Sequence, residues 1–206
     1  MGKRTKEYYI SIDVEADGPC PGINSMLQFG AVFYNPEGNI ILNYCANILP
    51  LEGAVQNPET MTWWAEQEDK HPGLWDRMMK DRVTPKLAME RFQSYVQVHS
   101  RELKASPLVI AYPSSFDFTF LYWYLCKFLG QSCVGFSSLD IKTLAMAILG
   151  ESYHDSAKKR FPKEWFDPKL KHTHNALDDA LEQGHIFFKM MEELQWRINR
   201  PLWACT

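Results

Sequence analysis

The chain has 206 residues, of which 46% are hydrophobic and 14% aromatic, enough to bury one sizeable core without disulfides or a structural metal. Its 22 basic and 25 acidic residues give a formal net charge of -3, which excludes non-specific coating of duplex nucleic acid by bulk positive charge but leaves room for a local basic groove beside an acidic site. Cys20, Cys45, Cys126, Cys133 and Cys205 form no C-x-x-C pair, and no apolar run reaches signal-peptide or membrane-spanning length, so one reduced, cytoplasmic domain over residues 1–206 without a membrane segment is expected.

From Tyr9 to Val14 the chain alternates. Ile10, Ile12 and Val14 fall on one face, and Tyr9, Ser11, Asp13 and Glu15 on the other, the period of a strand. A second apolar run, Leu27 to Tyr34, meets the turn-rich Asn35-Pro36-Glu37-Gly38-Asn39 before a third from Ile40 to Ala46, which predicts a three-stranded meander. Pro58 to Pro72 is polar, interrupted by Met61, Trp63 and Trp64. A helix is expected from Thr84 to about His99, burying Leu87, Phe92 and Tyr95. Pro107 to Ala111 is a short buried strand, and Ser114 or Ser115 opens an apolar helix through Leu121, Leu125 and Phe128 toward Gly130. Another strand ends near Leu139-Asp140, followed by a helix to Gly150. After an irregular, basic connection, Asn175 begins a last helix with an apolar stripe of Leu177, Leu181, Gly184, Phe188 and Met191. Strands first, then strands alternating with helices, imply an α/β domain with one mixed central sheet and helices on both faces.

Two acids at i and i+2 on a strand share a face, so Asp13 and Glu15 can both reach metal ions seated against it. A pair of divalent ions ~3.5–4 Å apart would activate a water and stabilise the leaving oxygen of a phosphodiester. Alone, the pair reads equally well as an exposed strand edge. Asp117, three residues after Ser114, has the spacing of a helix-capping pair. In His174-Asn175-Ala176-Leu177-Asp178-Asp179 a histidine precedes a helix whose first turns hold two acids, while Asn175 and Asp178 have N-cap spacing and His174 alone reads as a loop residue. Neither Asp178 nor Asp179 lies on the apolar stripe, so both can face a cleft or solvent. His71 to Asp76 repeats the histidine-to-aspartate spacing, but Pro72 and Gly73 make it poor helix material. It is the ordered combination of Asp13, Glu15, Asp117, His174 and Asp179 that is hard to assemble by accident.

In these five residues the chain resembles the DnaQ-like DEDDh 3'-5' exonucleases of the ribonuclease H-like superfamily, over about residues 8–194, with a short tail at 199–206. The resemblance implies a sheet of about five strands. It further implies that Asp13, Glu15, Asp117 and Asp179 hold two Mg²⁺ or Mn²⁺ ions, that His174 takes a proton from the attacking water, and that Glu15 also approaches the terminal 3'-hydroxyl. The expected reaction releases nucleoside 5'-monophosphates from single-stranded RNA or DNA 3' ends, with a lean to RNA. Dimerisation is common in stand-alone relatives, so a homodimer is an expectation. Ala111 to Asp117 departs from the family's commoner histidine-asparagine lead-in.

Six basic residues between Lys158 and Lys171 against two acids give a local balance of +4. This segment, Lys171 included, can contact a phosphate backbone, although any single lysine is equally a solvated one. Met26, Leu27, Phe116 and Phe118 are candidates for a terminal-nucleotide pocket, although each is more often a core residue. Adjacent indoles cannot share one helix face, so at most one of Trp63 and Trp64 is expected to stack on a base. A non-catalytic nucleic-acid-binding domain and a hydrolase of very short oligonucleotides are the alternatives. No H-E-x-x-H, G-x-x-x-x-G-K or G-x-S-x-G competes.

Overall fold

A computed structural model describes residues 6–199; Cys205 and residues 200–206 of the expected tail lie outside the described residues. The predicted meander forms as β1 (Glu7–Ala16), β2 (Met26–Tyr34) and β3 (Ile40–Asn47). The turn between β2 and β3 closes because Asn35 Oδ1 accepts from the N–H groups of Glu37 and Asn39 and Gly38 takes a left-handed φ of 85°.

α1 (Pro58–Lys70) occupies the polar stretch for which no element is expected, and α2 (Leu74–Met79) follows it, so the His71–Asp76 segment does enter a helix, with Pro72 and Gly73 left outside its start. Asn57 caps the first through the Thr60 N–H, and proline at the first helical position suits its start. The apolar periodicity is weak because α1 buries only Trp64 and Gln67, the indole within a satellite cluster shared with Leu74 and Met78. Next comes α3 (Pro85–Leu103), capped by Thr84 and four residues longer than the expected end at His99. It turns Ala88, Met89, Phe92 and Val96 inward. Leu87, expected in the core, is 37% exposed, because the inward stripe begins one residue later; Tyr95 is partly buried against the core.

β4 (Ser106–Ala111), α4 (Ser114–Leu129), β5 (Ser138–Asp140), α5 (Ile141–Leu149) and α6 (Ala176–Asn199) complete the fold. Gly130 and Gly150 stop their helices in left-handed conformations. The connection to α6 contains two short 3-10 turns and is pinned by the buried Phe161 and Trp165.

The five strands run in the order β3-β2-β1-β4-β5, antiparallel on the β3 side of β1 and parallel on the β5 side. α3 and α4 bury Ile10, Ile12 and Val14 together with Phe29 and Phe33 on one face, while α5 and α6 cover Tyr9, Val32 and Ile110 on the other. This is the mixed, doubly covered sheet that the sequence implied.

Candidate active site

The central strand outruns its parallel neighbour. Pairing of β1 with β4 ends at Ser11 opposite Ile110, so Asp13 and Glu15 project beyond the end of β4, where the sheet changes from antiparallel to parallel connections. Such a switch point leaves a crevice at the strand ends. A register shift between Glu15 and Ala16 then ends regular pairing with β2, the sort of bulge that re-aims side chains beside a site.

After β4 the chain turns back into α4, whose start lies beside the extension of β1. The capping spacing of Ser114 and Asp117 is not used: the N-cap position is Pro113, and the Ser114 N–H donates to Asp140 Oδ2 at 2.8 Å. Asp117 is thereby free of helix duty, and its Oδ1 accepts from the Val14 N–H at 3.0 Å. A bond across 103 residues of chain thus ties the second acidic motif to the middle of the first.

α6 is held close to β2. A Cβ on Gly30, the residue paired with Asp13, would stand 2.1 Å from the Ala176 carbonyl oxygen, so only glycine admits this approach. Gln28 Oε1 accepts from the Ala176 N–H at 2.7 Å, and Asn175 Oδ1 caps the helix through Leu177 and Asp178. Asp179 is consequently buried against β1, whereas Asp178 is exposed and accepts from the Thr173 hydroxyl. Gln183, one turn on, donates to Asp13 Oδ1 at 2.6 Å.

One oxygen each from Asp13, Glu15 and Asp179 lies within 4.8 Å of the others. Asp117 stands beside them, near enough for its charge to act on Glu15. His174 joins from the loop before α6 with a left-handed φ of 55°, a strained conformation for a non-glycine residue that costs ~1–3 kcal/mol and tends to occur at functional sites. Its ring lies 5.0 Å from that of Trp63. The structure also brings in two histidines outside the five expected residues. His172 Nδ1 lies 2.9 Å from Asp179 Oδ2, and its ring is 4.5 Å from that of His174; the ring of His71, from the dismissed spacing, is 6.1 Å from it. The H-x-H pattern of His172 and His174 was the available signal for the first.

Burial, reinforced by the charge of Asp179, pushes the Asp13 carboxyl up to about 7. Burial and then the neighbouring acids, Asp13 first, hold Glu15 and Asp117 well above the ordinary carboxylate range. His172 and Lys158 oppose the effect on Asp13 only in part, and the Lys158 ammonium is itself paired with Glu182. Asp179 Oδ2, apart from its ion-pair contact with His172, accepts no hydrogen bond. A crowded set of buried carboxylate oxygens with an unsatisfied acceptor fits hard divalent cations. His174 is shifted the other way: burial, then the charge of His172, lowers it from the usual value of 6.5.

Beside Glu15 opens a cleft of about 220 Å³ bordered by Ala16, Gly18, Thr60, Trp63, Trp64 and Phe116. Trp64 is buried and donates to the Ala16 carbonyl at 2.9 Å, while Trp63 is 38% exposed. Only one indole of the pair therefore offers a free face. Met26 and Leu27, expected at the nucleotide pocket, are 0% and 1% exposed. Buried in β2 between β1 and β3, they present no surface to a ligand, and the Met26 N–H is taken by the Tyr124 hydroxyl. Phe118 is partly buried against the α3 and α4 core. Lys171 is exposed on the loop leading to His174.

With this geometry established, comparison with known proteins is specific. The family described as "3'-5' exoribonuclease Rv2179c-like domain" matches residues 8–191. A 3'-5' DNA exonuclease, Cap18 of Escherichia coli, is 27% identical over 185 residues, covering 88% of this chain and 90% of the relative. Among solved structures, a full-length 3'-exonuclease superposes with a TM-score of 0.67 at 13% identity, over 92% of this chain and 84% of that one. E. coli exonuclease I in complex with a dA16 oligonucleotide gives 0.60 at 14% identity, over 94% of this chain and 42% of that one. These structural likenesses establish a shared ribonuclease H-like fold. Among the described residues, no helix is long and apolar enough to cross a membrane.

Proposed function

Since the chain belongs to the 3'-5' exoribonuclease Rv2179c-like family, and is thus a hydrolytic DEDDh-type 3'-5' exonuclease, we propose that it removes nucleoside 5'-monophosphates from single-stranded RNA 3' ends in a reaction that depends on Mg²⁺ or Mn²⁺. The observation that carries this reading is the convergence of Asp13, Glu15 and Asp179 within 4.8 Å at the crevice end of β1, with Asp117 and His174 beside them.

Asp13, Glu15, Asp117 and Asp179 would hold two ions, directly or through water. Bound there, they supply neutralisation of phosphate charge and a lowered pKa for the attacking water. His174 receives that water's proton. Its lowered pKa keeps the imidazole neutral and able to accept at ordinary pH. Glu15, which borders the cleft, accepts a hydrogen bond from the terminal 3'-hydroxyl in this reading. The exposed face of Trp63 and the ring of Phe116 provide apolar surfaces against which the last bases stack. Lys171 and the basic loop meet the backbone phosphates, a contact that weakens with salt.

DNA is the second reading, favoured by the similarity to a relative described as a DNA exonuclease. Incubating 3'-labelled and 5'-labelled RNA and DNA oligomers with Mg²⁺ or Mn²⁺, with Asp13→Ala as control, separates the two. Stepwise loss of 3' nucleotides from RNA ahead of DNA, abolished in the control and by chelator, is expected. Preferred digestion of DNA overturns the RNA assignment, and undiminished activity in chelator overturns the metal dependence.

A further inference from the structure

We propose that His172, His174 and Asp179 form a second metal site, selective for zinc-like ions, whose occupation is incompatible with the working state of the acidic site. One ligand atom from each residue lies within 4.8 Å of the other two. Two imidazole nitrogens and one carboxylate oxygen make a donor set that suits Zn²⁺ and is poor for Mg²⁺, which prefers oxygen throughout. With bonds of ~2.0 Å, donors around a tetrahedral zinc stand roughly 3.3 Å apart, so modest side-chain rotation completes the site.

The loop before α6 builds this arrangement. The left-handed turn at His174 brings two histidines separated by one residue to a ring separation of 4.5 Å. The Thr173 N–H between them donates to Asp179 Oδ1 at 2.9 Å and fixes that carboxylate. Asp179 Oδ2 is then left toward His172, whose Nδ1 lies 2.9 Å away, buried and with no other hydrogen-bond donor. The His172 side chain is 49% exposed, which gives an ion a way in from solvent.

Asp179 also belongs to the group formed with Asp13 and Glu15. An ion on the two histidines therefore withdraws an oxygen from the acidic site and the lone pair of the imidazole assigned to the water's proton. The binding site stands on the geometry alone; the inhibition rests on the proposed exonuclease reaction. Zinc should accordingly inhibit in the presence of excess Mg²⁺, and do so through His172, to which the proposed reaction assigns no step.

The test uses the full chain, metal-free, titrated with ZnCl₂ in a calorimeter and with CoCl₂ followed by visible absorption, for the wild type, His172→Ala and His172→Asn, with Asp13→Ala as a control. Tight Zn²⁺ binding by the wild type and a tetrahedral Co²⁺ spectrum are expected, both weakened about 10-fold or more in the two variants. In parallel, nuclease assays in millimolar Mg²⁺, each normalised to that protein's own zinc-free rate, should show both variants needing about 10-fold more zinc for half-inhibition. Equal zinc affinity in wild type and variants, or binding abolished by Asp13→Ala but not by His172→Ala, overturns the proposal. Loss of Mg²⁺ activity in the wild type would overturn the exonuclease reading instead, and the calorimetry would still decide the zinc site.

Discussion

The two faces of β1 are equally dry and chemically opposite. Toward α3 and α4 the strand presents Ile10, Ile12 and Val14, all buried among aromatic side chains. Toward α6 it presents Ser11, Asp13 and Glu15, buried to a similar degree. Burial alone therefore does not separate core from site. The separation lies in satisfaction: the buried side-chain atoms without a hydrogen bond among the described residues are Ser11 Oγ, Asp179 Oδ2 and Gln183 Oε1, on β1 and on the helix that covers its polar face. Unpaired buried polar atoms cost free energy. One face of the strand stabilises the fold, and the other holds carboxylates that are costly to keep until a cation joins them.

The strongest way to break this contrast is to exchange a residue on the polar face for its neutral isostere. Asp13→Asn should lower exonuclease turnover by ~10³-fold or more, yet raise the midpoint of thermal unfolding at neutral pH without metal, since it removes a buried like charge. A fall in that midpoint would show that the carboxylate stabilises the fold after all. On the apolar face, Phe92→Ala should behave inversely, losing ~3–5 kcal/mol of stability while the folded fraction keeps its specific activity; denaturant unfolding with activity normalised to folded protein decides it.

His174→Ala is expected to reduce turnover ~10²–10⁴-fold while leaving binding of metal and of a non-cleavable oligonucleotide in place; near-normal turnover would remove it from the reaction. The contrast also has a pH signature. The Asp13 carboxyl rises from an ordinary 3.8 to about 7 in the folded chain. The native state thus binds more protons than the unfolded state between those values, and its contribution to stability is present below pH ~4 and lost as pH rises through ~7. Thermal melts of metal-free protein should follow that fall, and added Mg²⁺ should raise the midpoint more at pH 8 than at pH 5. The smallest expected effect is that of Lys171→Glu, a few-fold rise in KM with a shallower salt dependence and little change in kcat.

Different parts of this arrangement were legible in the chain for different reasons. Alternation over residues 9–15 put Asp13 and Glu15 on one face because side chains on a strand repeat every two residues. Asn175 was readable as a cap because capping is a matter of local spacing. Asp117 was not separable from a cap on local grounds, because what frees it is Asp140, brought from β5 to the Ser114 N–H. α1 buries too few side chains to leave a periodic trace, and α2 is a six-residue helix that begins directly after Pro72 and Gly73. Met26 and Leu27 looked like pocket residues by proximity in sequence, and β2 proved to be buried along its whole length.

The sequence by itself determined the order of the five strands and of α3 to α6, the facing of the first two acids and the ordered motif that identifies the family. These follow from local periodicity and residue chemistry. Tertiary structure alone decided that Asp179 rather than Asp178 turns inward, through the close approach of α6 to Gly30. It also decided that Trp63 rather than Trp64 keeps an open face, and that His172 meets His174 and Asp179. Each of these depends on a contact between segments distant in the chain, and distance in sequence carries no record of such contacts until the sheet and α6 close on one another.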